Sequence, residues 1–130
     1  MSNITLKLGN CIELIKELPG NSIDLIFADP PYNLSGEGFQ TVKSGKMVAC
    51  DKGDWDIIDD IHNFNEQWIK ECIRVLSDNG TIWISGTLHN HPSIGVTLKK
   101  LGLWIINDII WFKKMVLHFY HEIVLHLLRN

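Results

Sequence analysis

The sequence lacks any apolar run long enough to span a bilayer, and its opening MSNITLKLGN has neither the basic stretch nor the apolar core of a secretory signal. The expectation is a cytoplasmic protein with no membrane partner. Cysteine is sparse: Cys11, Cys50 and Cys72 are odd in number, widely spaced and form no C-x-x-C pair. That removes a disulfide framework and a zinc knuckle, and leaves free thiols. Positive charge is not in excess either, since the formal net charge is −3, which argues against polyanion binding through a uniformly basic domain. Five of the fifteen acids, Asp51, Asp54, Asp56, Asp59 and Asp60, crowd one short segment, so a local basic surface elsewhere remains open. Internal repeats and low-complexity tracts are also missing. What is present is a chain of 130 residues, 45% hydrophobic, which suits one globular domain burying roughly two-thirds of its unfolded surface.

The first thirty residues read as strand, helix, strand. ITLKL alternates apolar and polar positions, so Ile4, Leu6 and Leu8 would share one face of a strand. Asn10, three residues before Glu13, predicts a capping box, followed by a helix in CIELIKEL that Pro19 and Gly20 close. SIDLIFA is continuously apolar, as in a central strand covered on both faces. From Asn33 to Asp56 regular patterning disappears and glycines punctuate a polar stretch, too long for an ordinary connection. Helical order returns in IHNFNEQWIKECIRVLSDNG, with Ile61, Phe64, Trp68, Cys72 and Val75 in one stripe and Asn79-Gly80 as a stop. TIWIS predicts a strand, Ser93 to Leu101 a helix ended by Gly102, and LWIINDIIWFKK a long strand. Strands alternating with helices imply an α/β fold with a mostly parallel sheet.

In open α/β sheets ligands bind beyond the carboxyl ends of the strands. Asp29-Pro30-Pro31-Tyr32 occupies that position after SIDLIFA. The two prolines stiffen the loop, and they offer carbonyl acceptors with no amide donors. With the Asp29 carboxylate they make an acceptor-rich clamp for a group carrying two hydrogens, such as an exocyclic amine, and Tyr32 adds a face on which a planar base can stack. Hydrogen bonds from such an amine to Asp29 and the Pro30 carbonyl would draw its nitrogen toward tetrahedral geometry and free its lone pair for attack on an activated methyl group. A rigid turn capping the strand is the plain alternative. The tetrapeptide should arise by chance in a chain of this length about once in two thousand, which favours the functional reading.

These residues carry a resemblance. LKLGNCIELIKELPGNSIDLIFADPPYNL is similar to the start of the N6-adenine/N4-cytosine DNA methyltransferases of bacterial restriction-modification systems, in the permuted class whose catalytic motif precedes its cofactor motif. RVLSDNGTIWISGT and GLWIINDIIWFKK resemble that family's following strands, so the likeness runs from Thr5 to Lys114. It implies a partial Rossmann-like, S-adenosylmethionine-dependent methyltransferase fold, α/β, with a mostly parallel sheet and helices on both faces. It also implies Asp29, Pro30, Pro31 and Tyr32 as the catalytic motif, Asn10 and Asp29 near the cofactor, and S-adenosylmethionine as methyl donor. The implied partner is double-stranded DNA with a flipped adenine, because an aspartate opens the motif in the adenine-modifying members where serine is common in the cytosine ones. For Asn10 a plain helix cap is an equal alternative. Ring-carbon methylation of cytosine would need a cysteine after proline, and no proline here is followed by one.

The sequence departs from the family in lacking its Phe-x-Gly-x-Gly cofactor loop and target-recognition region. Gly36-Glu37-Gly38 is the only Gly-x-Gly. The expected organisation is therefore residues 1–114 as the N-terminal catalytic part, with a mobile loop at about 33–56, and residues 115–130 as a divergent tail left by truncation or frameshift. A further expectation is that the isolated chain is an inactive remnant, or one half of a split enzyme that needs a second chain for the cofactor half. Trp111 and Lys113, at the end of a strand, are candidates for lining the base pocket. The tail's His121-Glu122 and His126 are one residue too far apart for a metalloprotease helix, so no metal site is expected.

Overall fold

The structure, a computed structural model, describes residues 3–35, 40–43, 46–49, 52–114 and 119–128, with 40–43, 111–114 and 119–128 described through their main chain. The elements in order are α1 (Cys11–Lys16), β1 (Ile23–Ala28), β2 (Gln40–Lys43), β3 (Lys46–Ala49), a 3-10 turn (Asp54–Asp56), α2 (Ile61–Val75), β4 (Leu76–Gly86), α3 (His91–Lys100), β5 (Trp104–Lys114) and β6 (Phe119–Leu128). Four strands form one sheet in the order β1-β4-β6-β5. β1 and β4 are parallel, and β6 runs antiparallel to both β4 and β5. Three strands thus point the same way and their carboxyl ends gather at one end of the sheet.

The core lies between this sheet and α2 and α3. Trp68, Ile69 and Cys72 of α2 and Ile94 and Leu98 of α3 pack with Ile82 and Ile84 of β4, and Ile26 and Ala28 of β1 join from the neighbouring strand. The α2 stripe works because its apolar residues recur every three or four positions. Asp60 caps the helix by accepting from the Asn63 amide. Buried Asn65 ties the two helices, accepting from Trp68 Nε1 and donating to Ser93 Oγ, 3.1 Å each. Arg74 binds the Ile15 and Leu18 carbonyls at the open end of α1, which fixes that short helix against α2.

Several expectations change. Residues 3–8 form no strand: Ile4, Leu6 and Leu8 are exposed and pair with nothing in the described sheet. Asn10 accepts from the Ile12 amide at 3.0 Å, but Glu13 reaches Lys16 rather than back to Asn10, so the cap is one-sided. β1 is an edge strand, not a central one, and Leu25 and Phe27 on its second face are 62% and 64% exposed. α2 and α3 pack against β4 on one face of the sheet. Asn79-Gly80 does not stop α2, which ends at Val75, because Leu76 turns extended to pair with Ile23. Gly80 instead lies inside β4, where a Cβ would sit 2.9 Å from the Ile23 carbonyl. The patternless stretch holds the antiparallel β2–β3 hairpin and the 3-10 turn, while residues 36–39, 44–45 and 50–51 of the expected loop lie outside the described residues. The tail's β6 is inserted between β4 and β5. Among the described residues no helix is long and apolar enough to cross a membrane.

Candidate active site at the carboxyl end of strand β1

Asp29 follows directly on β1, whose last residue, Ala28, stands opposite Ile84 of β4. The parallel register therefore places Ser85 beside Asp29. Ser85 Oγ donates to Asp29 Oδ1 at 2.5 Å, and the Tyr32 hydroxyl donates to the same oxygen at 2.6 Å. The two hydroxyl oxygens are 3.3 Å apart. Both hydroxyls thus converge on one carboxylate oxygen, with Ser85 Oγ also 3.4 Å from the Ala28 carbonyl oxygen, and Oδ2 has no hydrogen bond among the described residues. Asp29 is exposed, Pro30 to Tyr32 are half-buried, and Ser85 is buried. An oriented carboxylate oxygen, a proline carbonyl next in the chain and a tyrosine ring anchored by its hydroxyl can together accept two hydrogens from a planar ligand.

The loop beyond Tyr32 is held by one of the five acids crowded between residues 51 and 60. Asp56, 1% exposed, accepts from four successive amides. Tyr32 and Asn33 donate to Oδ1 at 2.9 and 3.0 Å, and Leu34 and Ser35 donate to Oδ2 at 2.8 and 2.9 Å. The bonds are reciprocated: Asn33 Oδ1 accepts from the Ile58 amide at 2.8 Å and Ser35 Oγ from the Lys52 amide at 2.7 Å. Burial pushes the Asp56 carboxyl up, but donors from Ser35, Leu34 and Asn33 outweigh it and hold the group below its usual range. Asn33 adopts the left-handed conformation, φ 55°, which asparagine tolerates better than most residues and which turns the chain so that consecutive amides converge.

Asn10 lies at the start of α1, exposed, with its side-chain oxygen engaged in capping. Trp111 and Lys113 fall in the last turn of pleat of β5, paired in register with Glu122 and Tyr120. They share the carboxyl end of the sheet with Asp29 but sit three strand spacings away, on the order of 15 Å, with β4 and β6 between. His121 and His126 both belong to β6. Lys99, Gly102, Leu103, Trp104 and Ile105 line an open groove at the amino end of β5, the opposite end of the sheet from Asp29. Ser85 was findable in principle, since TIWIS ends on it at the end of a strand where ligands bind. Asp56 left one faint signal: amides that follow two prolines in a glycine-poor turn need acceptors.

Residues 23–124 match the profile of the N6/N4 methyltransferase family described as DNA methylase. The chain is 46% identical over 114 residues to the type II methyltransferase M2.MboI of Moraxella bovis, covering 85% of this chain and 41% of that protein. It is 42% identical over 112 residues to the type II methyltransferase M.HinfI of Haemophilus influenzae, covering 84% of this chain and 31% of that protein. The chain therefore spans well under half the length of these relatives. Among solved structures, the PvuII DNA methyltransferase (cytosine-N4-specific) superposes with a TM-score of 0.68 at 14% identity, over 95% of this chain and 48% of that one. The M1.HpyAVI–SAM complex superposes with a TM-score of 0.60 at 18% identity, over 94% and 52%. At such identities the likeness is one of fold: an α/β sheet of the methyltransferase type.

Proposed function

Because the chain belongs to the N6/N4 DNA methylase family, we propose that it carries the amine-binding part of a DNA methyltransferase that moves a methyl group from S-adenosylmethionine to the N6 amine of adenine. The observation that carries this reading is the Asp29 carboxylate, held through Oδ1 by Ser85 and Tyr32 with Oδ2 left to bind. Oδ2 and the Pro30 carbonyl would take the two amine hydrogens, and the Tyr32 ring would stack on a base flipped from double-stranded DNA. Oriented acceptors lower the cost of reaching the transition state by fixing the amine in line for attack. The aspartate at the head of the motif favours adenine over an N4-cytosine target.

S-adenosylmethionine is the methyl source this chemistry calls for. The described residues offer it no glycine-lined cradle between a strand and a helix, and the Asn10 side chain is spent on a helix cap, so they do not by themselves form a pocket for it. A second reading follows from the face of β1 that no described element covers. Leu25 and Phe27, 62% and 64% exposed, together with a β1 edge that no described strand pairs, favour completion of the fold by further polypeptide, in the same product or in a second chain. Without it the chain would be an inactive remnant.

The test is expression in cells free of adenine methylation, alone and joined to the remaining part of a type II relative, with the DNA digested to nucleosides and weighed. N6-methyladenine that disappears in Asp29→Ala is expected. N4-methylcytosine in its place overturns the adenine assignment alone. Wild-type methylation by Asp29→Ala, or no methylated amine in either arrangement, overturns the function. Calorimetric titration with S-adenosylmethionine separates the two readings: binding by the joined protein only is expected, and binding by the chain alone removes the need for completion.

A further inference from the structure

The base-stacking role of Tyr32 in the proposed function needs a ring held in one place before a ligand arrives, and Tyr32 sits in a loop. Loops of this kind are mobile unless something over-determines them. Here the main chain of Tyr32 donates its amide to Asp56 while its hydroxyl donates to Asp29. The residue is fixed at both ends, and only the side-chain torsions between them are left to settle. Resting on that function, we infer that Asp56 is a positioning residue for base recognition, setting the Tyr32 ring by locking the four amides that follow the two prolines.

The geometry supports this over a general stabilising role. Pro30 and Pro31 have no amides, so the first donors after Asp29 are those of Tyr32, Asn33, Leu34 and Ser35, and all four converge on one carboxylate. Converging successive amides form a concave anion site, and here the anion is built in. Asp56 is carried on the turn just before α2, the helix that supplies much of the core. The clamp is thereby referenced to the rigid part of the molecule. The left-handed Asn33 is strained by itself and persists because its own side chain closes the ring of bonds through Ile58.

Asp56→Asn tests this, because an amide of the same shape can serve only one pair of the four donors. Two readouts are taken on the chain joined to the remaining part of a type II relative: hydrogen-exchange protection of the amides of residues 32–35, and quenching of a single-stranded oligonucleotide carrying 2-aminopurine, which reports stacking directly. The wild type should show protected amides and saturable quenching. Asp56→Asn should lose the protection and weaken probe affinity about tenfold, in the range expected for one stacked base, while amides of α2 stay protected. Unchanged affinity with the protection lost overturns the positioning role and leaves Asp56 a loop staple. Retained protection overturns the latch itself. Wild type with protected amides but no quenching places the failure in the proposed function and removes the positioning role with it. If Asp56→Asn does not fold, Asn33→Gly, which keeps the left-handed conformation but deletes the acceptor for Ile58, carries the test: a severalfold loss of probe affinity supports the inference and no loss overturns it.

Discussion

Ser85→Ala isolates the contact that orients Asp29. The change removes one hydroxyl oxygen from a buried position and adds nothing, so it creates little cavity and no clash. What is lost is a hydrogen bond of 2.5 Å to the Asp29 carboxylate. Hydrogen bonds to charged groups contribute about 1.5–3 kcal/mol when both partners are shielded. Asp29 is exposed, so water can replace part of the lost donor, and a value below that range, about 1 kcal/mol, is the working figure. A double-mutant cycle of Ser85→Ala and Asp29→Ala, read by urea unfolding, should give a coupling energy of about 1 kcal/mol. Repeating the cycle with Tyr32→Phe and Asp29→Ala should give coupling of the same sign, since that hydroxyl donates to the same oxygen at 2.6 Å. In ligand binding, loss of about 1 kcal/mol is roughly a fivefold weakening. Coupling within about 0.3–0.5 kcal/mol of zero is what independent sites show, and that result for both pairs would refute the view that the two hydroxyls hold the carboxylate.

Two predictions concern groups outside the clamp. Burial pushes the Cys72 thiol up to about 12, whereas Cys11 is exposed. Iodoacetamide at mildly alkaline pH should therefore label Cys11 in the native chain and reach Cys72 only on unfolding, as peptide mass mapping would report; native labelling of Cys72 would contradict the packing of α2 against β4. Lys100 and then Lys70 hydrogen-bond Glu66 and lower its pKa to about 2, and the Lys100 contact bridges α3 to α2. A depressed carboxylate stabilises the fold above its unfolded value, near 4.5, and that contribution is lost as pH falls toward about 2. The stability gap between wild type and Glu66→Gln should hence be small at neutral pH and low salt, shrink in high salt and vanish in strong acid. A gap that grows on acidification would reverse the assignment.

The strand–turn chemistry at Asp29 to Tyr32 was legible in the sequence because it is local. An apolar run ending in two prolines states its own stiffness, its missing donors and its place at a strand end. The helix of Ile61 to Val75 was legible for a similar reason, since its stripe recurs at the helical period. Its end was misread because Asn79-Gly80 is a good stop only where no strand competes, and pairing of Leu76 with Ile23 begins the strand first. ITLKL shows the same limit in reverse: alternation describes a strand that needs a partner, and no described strand lies beside residues 3–8.

By itself the sequence determined an α/β chain and a stiff loop after β1 that lacks amide donors at Pro30 and Pro31, because torsional limits and donor counts are properties of neighbouring residues. Tertiary structure alone decided which side chains complete the site. Ser85 lies 56 residues from Asp29 along the chain and meets it only through the parallel register of β1 and β4. Asp56 turns from one acid among several into the acceptor for four amides only when the segment before α2 folds back over the loop. Both depend on contacts between distant segments, whose pairing is set by how the core packs and not by any local pattern.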